Sequence, residues 1–306
     1  MEVYKHPSYT RYHASRCSVA AFWSLICYLA VLAAPFFLAY ASYGFWKKEG
    51  TYYEQPIIEY QHKIAMIVEC SSGALVFSSI PEFNLMAGFS NVRIPQVQSF
   101  LDDPNLDGRP DYFNLTITVP LQGTEEVYGV SVLAFFDVEL KDRVKLEMSG
   151  LSYVSQTSSL PGSRFSMFGD LKFTQLYPLS LRGSRTDYNA DLLSASSILS
   201  VEDTHFTNIL AKSASRNETI RIENELSYWR PGRENQFTFD MRLRIPKSEI
   251  RYIPGPSEVL KFSWMQYLAV GVIVYFVVDW ILYFTHSHAL VTSFRTVDHK
   301  AKEHTF

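Results

Sequence analysis

Two long apolar runs, one near each end, frame this chain of 306 residues. Cys17 to Tyr40 and Phe262 to Phe284 are each long enough for an α-helix, at 1.5 Å per residue, to cross a hydrocarbon core roughly 30 Å thick. Between them the period of the pattern changes. Leu115, Ile117, Val119 and Leu121 alternate with threonines and a proline, and Phe237, Phe239, Met241, Leu243 and Ile245 alternate with polar or charged residues, which marks half-buried strands. Val127 to Leu140 is more continuously apolar and reads as a central strand. Lys141-Asp142-Arg143 then supplies a polar turn, after which Val144 to Val154 returns against it. Ile57 to Glu69, Ala74 to Ile80, Phe165 to Leu176 and Thr219 to Leu226 bring the total to roughly eight or more strands, enough for a β-sandwich. In Ser194 to Ala214 the spacing of Ile198, Val201, Ile209 and Leu210 partly fits a helix. Ser200 with Asp203 resembles a capping box there, and the stretch stays open between a short helix and a loop.

The predicted organisation is a cytosolic tail over 1–16, a transmembrane helix over 17–40, a mainly β lumenal or extracellular domain over 41–261, a second transmembrane helix over 262–284 and a cytosolic tail over 285–306. The middle segment, about 220 residues, has the size of one domain. Its orientation follows from charge. Lys5, Arg11 and Arg16 precede the first span, and Arg295, Lys300 and Lys302 follow the second, so the positive-inside rule places both termini in the cytoplasm. Lys47, Lys48 and Lys261 argue the other way, but a long translocated domain outweighs them. The N-glycosylation sequons at Asn114 and Asn217 both fall in the middle segment, as that orientation requires. Ala39-Tyr40-Ala41 resembles a signal-peptide cleavage site, yet the apolar run exceeds the roughly 7–15 residues of a signal core and reads as a retained span. Tyr43, Phe45, Trp46, Lys47 and Lys48, and later Lys261, Trp264 and Tyr267, suit the lumenal headgroup level; Trp280 and Tyr283 suit the cytoplasmic one.

The formal net charge of −3, with both tails positive, leaves the middle segment acidic and excludes a basic nucleic-acid surface. Three cysteines build no disulfide framework. Cys70 reads as a buried thiol or one half of an intermolecular bridge, and Cys17, at the membrane edge, as an unmodified interfacial residue or a palmitoylation site. The stretch Asp103 to Asp111 places Asp103, Asn105, Asp107, the Arg109 carbonyl and Asp111 in the register of a Ca²⁺ loop, with Gly108 at the turn. Asn114 stands where an EF-hand needs its bidentate Glu, so two readings stay open: a structural Ca²⁺ loop between strands, or a solvated turn that needs no metal. No cofactor is required by any motif. Nucleophile elbows, zinc-protease motifs, paired CxxC and glycine-rich phosphate loops are missing from the sequence, and His62, His205, His286, His288, His299 and His304 are scattered, so no enzyme is expected. Asp279 interrupts the second apolar run. An acid there either faces a partner helix or sits near enough to the interface to reach water.

Several segments together resemble the transmembrane protein 231 family: YGFWKK followed by YYEQP, NLDGRPD leading to VPLQGTEEVYGVSV, and KFSWMQYL entering the second span. The resemblance runs in order along nearly the whole chain. It implies a non-enzymatic membrane scaffold of the ciliary transition zone, within the Meckel syndrome (B9) complex. Its implied partners are B9-domain proteins, tectonics and other transmembrane members, besides the lipid bilayer, and its implied role is in ciliogenesis and the diffusion barrier that controls ciliary membrane composition. Two other classes stay in view on the residues alone: a lumenal ligand-binding receptor module, suggested by the large outward domain, and an auxiliary channel or transporter subunit, suggested by Asp279.

Overall fold

The structure is a computed structural model that describes residues 10–87, 91–123, 125–193, 198 and 201–297. Ser200, His299, His304 and the first nine residues, all read above, lie outside the described residues. The chain divides into two units: residues 49–253, and the two terminal segments together.

In the terminal unit both apolar runs are helical. Helix α1 spans Val19–Ala41, started by Ser18, whose hydroxyl accepts the Ala21 amide at 3.3 Å. Helix α4 spans Pro256–Ser287 and begins before the apolar run does. Pro256 at its first position and Glu258 in its first turn set that start, because proline needs no amide partner there and an acid complements the helix dipole. The two helices pack against each other and leave the rest of their apolar surface exposed, Phe22 and Phe276 among it. A soluble core helix would be buried; these have the length, composition and exposure of lipid-facing spans. Two short strands, β1 (Thr10–His13) and β14 (Phe294–Val297), pair antiparallel, so segments expected to be plain tails form a ladder. Four residues each, with no apolar period, gave the sequence no strand signal.

The β unit is a sandwich made from one curled sheet. Its first leaf runs β4 (Gly73–Ser78), β3 (Ile57–Cys70), β7 (Val127–Leu140) and the first half of β8 (Lys145–Gln175). The second leaf runs from the far half of β8 to β12 (Gln236–Arg244), β6 (Tyr112–Pro120) and β5 (Gln96–Asp102), with β11 (Glu218–Pro231) on the other side of β8. The inner faces meet in the core, where the Phe113 ring lies 5.0 Å from both Tyr60 and Phe136. β7 and β8 join through the turn at Lys141-Asp142-Arg143, with Leu140 opposite Leu146, as the polar break predicts. The expected break before Phe165 does not occur. Pro161 falls where the β7 pairing lapses, between Gly129 opposite Thr157 and Val127 opposite Gly162, so its missing amide leaves no ladder bond unmade and β8 continues for 31 residues.

The continuous apolarity of β7 also has a structural cause. Val132, Ala134 and Phe136 face the main core, whereas Leu133 and Phe135 face a second cluster with Ile80, Phe83, Leu192 and Ile209. That second layer includes α2 (Pro81–Ala87) and α3 (Phe206–Ala214), the latter being the helix that the 194–214 pattern left open. A small sheet of β2 (Gly50–Glu54), β13 (Ser248–Ile253) and β9 (Leu179–Ser180) holds the points where the chain enters and leaves the unit. β10 (Ser184–Arg185) adds a short parallel pairing to the start of β8.

Candidate functional site

The helix pair is fastened at several levels. Near its 45–263 end, Lys47 lies 2.6 Å from Glu258 and 4.4 Å from the centre of the Phe262 ring, and the Ser263 hydroxyl donates to the Phe45 carbonyl at 2.8 Å. The aromatic and basic cluster expected to anchor the chain at headgroup level therefore also binds α4. Further along, Pro35 interrupts α1 and packs near Gly271, and the Tyr267 hydroxyl donates to the Leu32 carbonyl at 3.1 Å. Proline withholds the amide that the Val31 carbonyl would use, and the Tyr267 hydroxyl reaches the next acceptor along, Leu32, in the same turn. At the opposite end His286 stacks on Tyr12 at 5.4 Å, and the Thr296 hydroxyl donates to the Arg11 carbonyl. Asp279 does not face α1. It is exposed on α4 beside Phe276, Trp280 and Tyr283, and forms no hydrogen bond or ion pair among the described residues.

The β unit has a polar knot at its root, where β2 enters. Glu54, 2% exposed, accepts the Lys141 and Asp142 amides at 2.8 and 3.0 Å on one oxygen and the Tyr52 hydroxyl at 2.9 Å on the other. Burial pushes Tyr52 up to about 12, with the neighbouring Glu54 adding to the rise. Arg143 of the same turn lies over the Tyr252 ring and donates to its hydroxyl. Gly50 faces that ring so closely that any Cβ would collide with it.

The aspartate stretch joins this knot. It links β5 to β6, with Leu106 and Gly108 at positive φ. Asp103 Oδ2 accepts the Gly108 amide at 2.9 Å, Asn105 Oδ1 the Asp107 amide at 2.9 Å, and Asp107 Oδ1 the Arg109 amide at 2.8 Å. Asp111 accepts from Asn105 at 3.1 Å and from Gln55 at 3.0 Å, while Arg109 donates to the Gln55 carbonyl and lies 3.2 Å from Asp142. The five residues in Ca²⁺ register are thus brought together, and three of their side-chain oxygens serve the loop's own backbone amides. Asp103 Oδ1 is buried with no hydrogen-bond partner among the described residues. Within that set, no group of three or more His, Cys, Asp or Glu side chains is arranged to hold a metal ion.

Other expected residues disperse. Cys17 is exposed beside the start of α1, Cys27 is buried, and Cys70 is half-buried at the end of β3. Burial pushes the Cys70 thiol up to about 11, Glu125 raises it further and Arg93 opposes. His62 sits at positive φ in a bulge of β3, and His205 stands at the N-cap position of α3 without a side-chain capping bond. Asn114 lies mid-strand in β6 and Asn217 just before β11. Sequence reasoning missed the buried Asp170, gripped by the Arg244 fork at 2.7 and 2.9 Å and by Asn224 at 2.7 Å. It also missed Glu54. Single acids within strand patterns give no periodic signal; Glu54 stands at an inward position of β2, whereas Asp170 stands on the outward side of β8, in line with Phe168 and Lys172.

Comparison with known proteins completes the picture. The family model described as Transmembrane protein 231 matches residues 1–295. Transmembrane protein 231 of Xenopus tropicalis is 34% identical over 95% of this chain and 94% of its own length. The Rattus norvegicus and Homo sapiens proteins of that name are 33% and 32% identical, each over 95% of this chain and 93% of theirs. A cryo-EM structure of a proton-activated chloride channel aligns over 86% of this chain and 99% of that one, at 10% identity and a TM-score of 0.20, too low to define a shared fold. With two lipid-suited helices and near end-to-end matches to the family, the chain belongs to the transmembrane protein 231 family of membrane proteins.

Proposed function

We propose that the protein is a non-enzymatic scaffold of the ciliary transition zone, with both termini in the cytoplasm and the β unit in the lumen or outside the cell. The observation that carries this reading is the match to the Transmembrane protein 231 family along residues 1–295. In this reading the chain joins B9-domain proteins, tectonics and other membrane members of the Meckel syndrome complex, and it helps to restrict membrane traffic into the cilium. The fastened helix pair supports it, because a barrier component needs spans that pack side by side and keep apolar surface free for neighbours. Asp279 serves here as a contact for a partner helix: it is exposed on the outer side of α4, and a carboxylate so placed gains from a donor on another span. Residues 103–111 act structurally, pinning the root of the β unit.

The test is localisation together with co-purification. A tagged full chain in ciliated cells should concentrate beneath the axoneme and co-purify with other membrane proteins, and Asp279→Asn should weaken that co-purification. Signal spread evenly over the plasma membrane would refute the assignment.

A further inference from the structure

The two leaves of the sandwich differ on their outer faces. Leaf one is covered: Leu133, Phe135 and Leu151 lie under α2, α3, Leu192, Leu193 and Ile198. Leaf two exposes its outer face, where large apolar side chains stand among charged ones such as Arg164, Asp240 and Arg242. In one register row across β5, β6, β12, β8 and β11 stand Phe100, Asn114, Arg242, Phe168 and Leu226. Phe100 is 61% exposed, Phe168 51% and Leu226 71%, and Tyr228 in the adjoining row is 65% exposed. Both lateral strands, β5 and β11, are also sheet edges. Exposed aromatic and aliphatic side chains beside open strand edges invite association unless something covers them.

Second in that row, on β6, is an acceptor sequon. Residues directly opposed across antiparallel strands have Cβ atoms about 4.5–5.5 Å apart, so Phe100 and Arg242 flank Asn114 on either side. Tyr112, two residues earlier and therefore on the same face, has the Arg242 guanidinium 4.6 Å from its ring centre. The Asn114 side chain forms no hydrogen bond among the described residues. The second sequon is placed differently. Asn217 Oδ1 accepts the Tyr177 amide at 2.8 Å, and its Nδ2 donates at 2.6 Å to Glu218, a residue with no exposed surface that also pairs with Arg185. A sugar on that nitrogen would be driven toward a buried carboxylate.

We propose that an N-linked glycan on Asn114 is the cover of leaf two, its inner sugars lying over Phe100 and Phe168, and that the folded protein carries no glycan on Asn217. Sugar rings offer a C–H face to aromatic rings and hydroxyls to Arg242, and a bulky solubilising group there shields the patch. The inference rests on the lumenal placement of the β unit proposed above.

The full chain, expressed in glycosylating cells, tests it by site-resolved mass spectrometry. Asn114 should be occupied and Asn217 bare. Asp107→Thr makes Asn105, in an exposed turn, an added acceptor and reports the side of the membrane. An Asn105 glycan alongside a bare Asn114, or any glycan on Asn217, overturns the proposal while lumenal placement stands. No glycan at any of the three overturns the placement and the proposal together. The covering role is read separately: Asn114→Gln should raise binding of an apolar dye several-fold and cause the purified protein to self-associate, and adding Phe100→Ser should reverse both. Dye binding unchanged by Asn114→Gln would overturn the covering role.

Discussion

Replacing Glu54 by alanine removes a buried acceptor of three hydrogen bonds, at 2.8, 3.0 and 2.9 Å. Bonds to a charged group contribute about 1.5–3 kcal/mol each, and the partners left behind add the cost of unmet donors. The simple sum overstates the effect. Lys141 and Asp142 are exposed turn residues whose amides take water once the carboxylate is gone, whereas the Tyr52 hydroxyl is held in a half-buried place. A loss of about 3 kcal/mol results, a large part of the roughly 5–15 kcal/mol that keeps a domain folded. For a domain of this size each kcal/mol lowers Tm by about 2–4 °C, so Glu54→Ala should fall by roughly 6–12 °C. The assay is thermal unfolding of the full chain in detergent, paired with hydrogen exchange. Faster exchange should appear first at 141–144 and at 103–111, the segments tied through Glu54, Gln55 and Asp142. Glu54→Gln, which keeps one acceptor oxygen and turns an NH₂ toward a donor, should lose nearly as much. A Tm within 2 °C of the parent for both variants would refute the reasoning.

Three further outcomes follow from other sites. The Arg244 fork holds the Asp170 carboxyl below the usual carboxylate range, with burial opposing and Asn224 assisting. Its contribution is present above the unfolded value of about 3.9 and is lost as pH falls through the lower folded value. Asp170→Asn should cost about 2 kcal/mol at pH 7, since Arg244 is itself half exposed, and the difference from the parent should shrink below about pH 4 in acid-denaturation curves. Because Asp103 Oδ2, Asn105 Oδ1 and Asp107 Oδ1 already serve the loop's own amides, millimolar Ca²⁺ should move Tm by less than about 1 °C; a larger rise abolished by Asp107→Ala would establish a calcium site. Cys70, with its thiol near 11, should alkylate at pH 7 on the order of 10²-fold more slowly than an ordinary free cysteine, and a Cys70-dependent dimer on non-reducing gels would contradict that.

The helices and most strands were legible because their signals are periodic. Leu115 to Leu121 and Phe237 to Ile245 alternate in the sequence and pair as neighbours in the sheet, with Phe239 opposite Ile117. Where the sequence misled, a local rule met a tertiary exception. Val144 to Val154 and Phe165 to Leu176 read as separate strands, but Pro161 between them sits at a lapse in pairing, where a missing amide costs nothing. The β1–β14 ladder joins segments at opposite ends of the chain, and no local pattern encodes such a pairing. At the candidate site the loop composition was readable, whereas its fastening was not. Gln55, Asp142 and Glu54 lie far from residues 103–111 in sequence, and their roles come from which strands happen to end side by side.

The length of β8 has a consequence for truncated chains. One half of this strand completes the first leaf with β7, and the other half must wait for β12 and, through it, β6 and β5. A premature stop after β8 and before β12 would leave Phe165 and Met167, both core residues, without the strand that flanks them on β12's side. Such a product is an open half-shell, not a smaller folded version of the protein. It would expose the face that quality control recognises, even though every residue of the first leaf was present. Late nonsense changes should therefore behave as complete losses, and such chains would also lack the second span, because α4 follows β12 and β13.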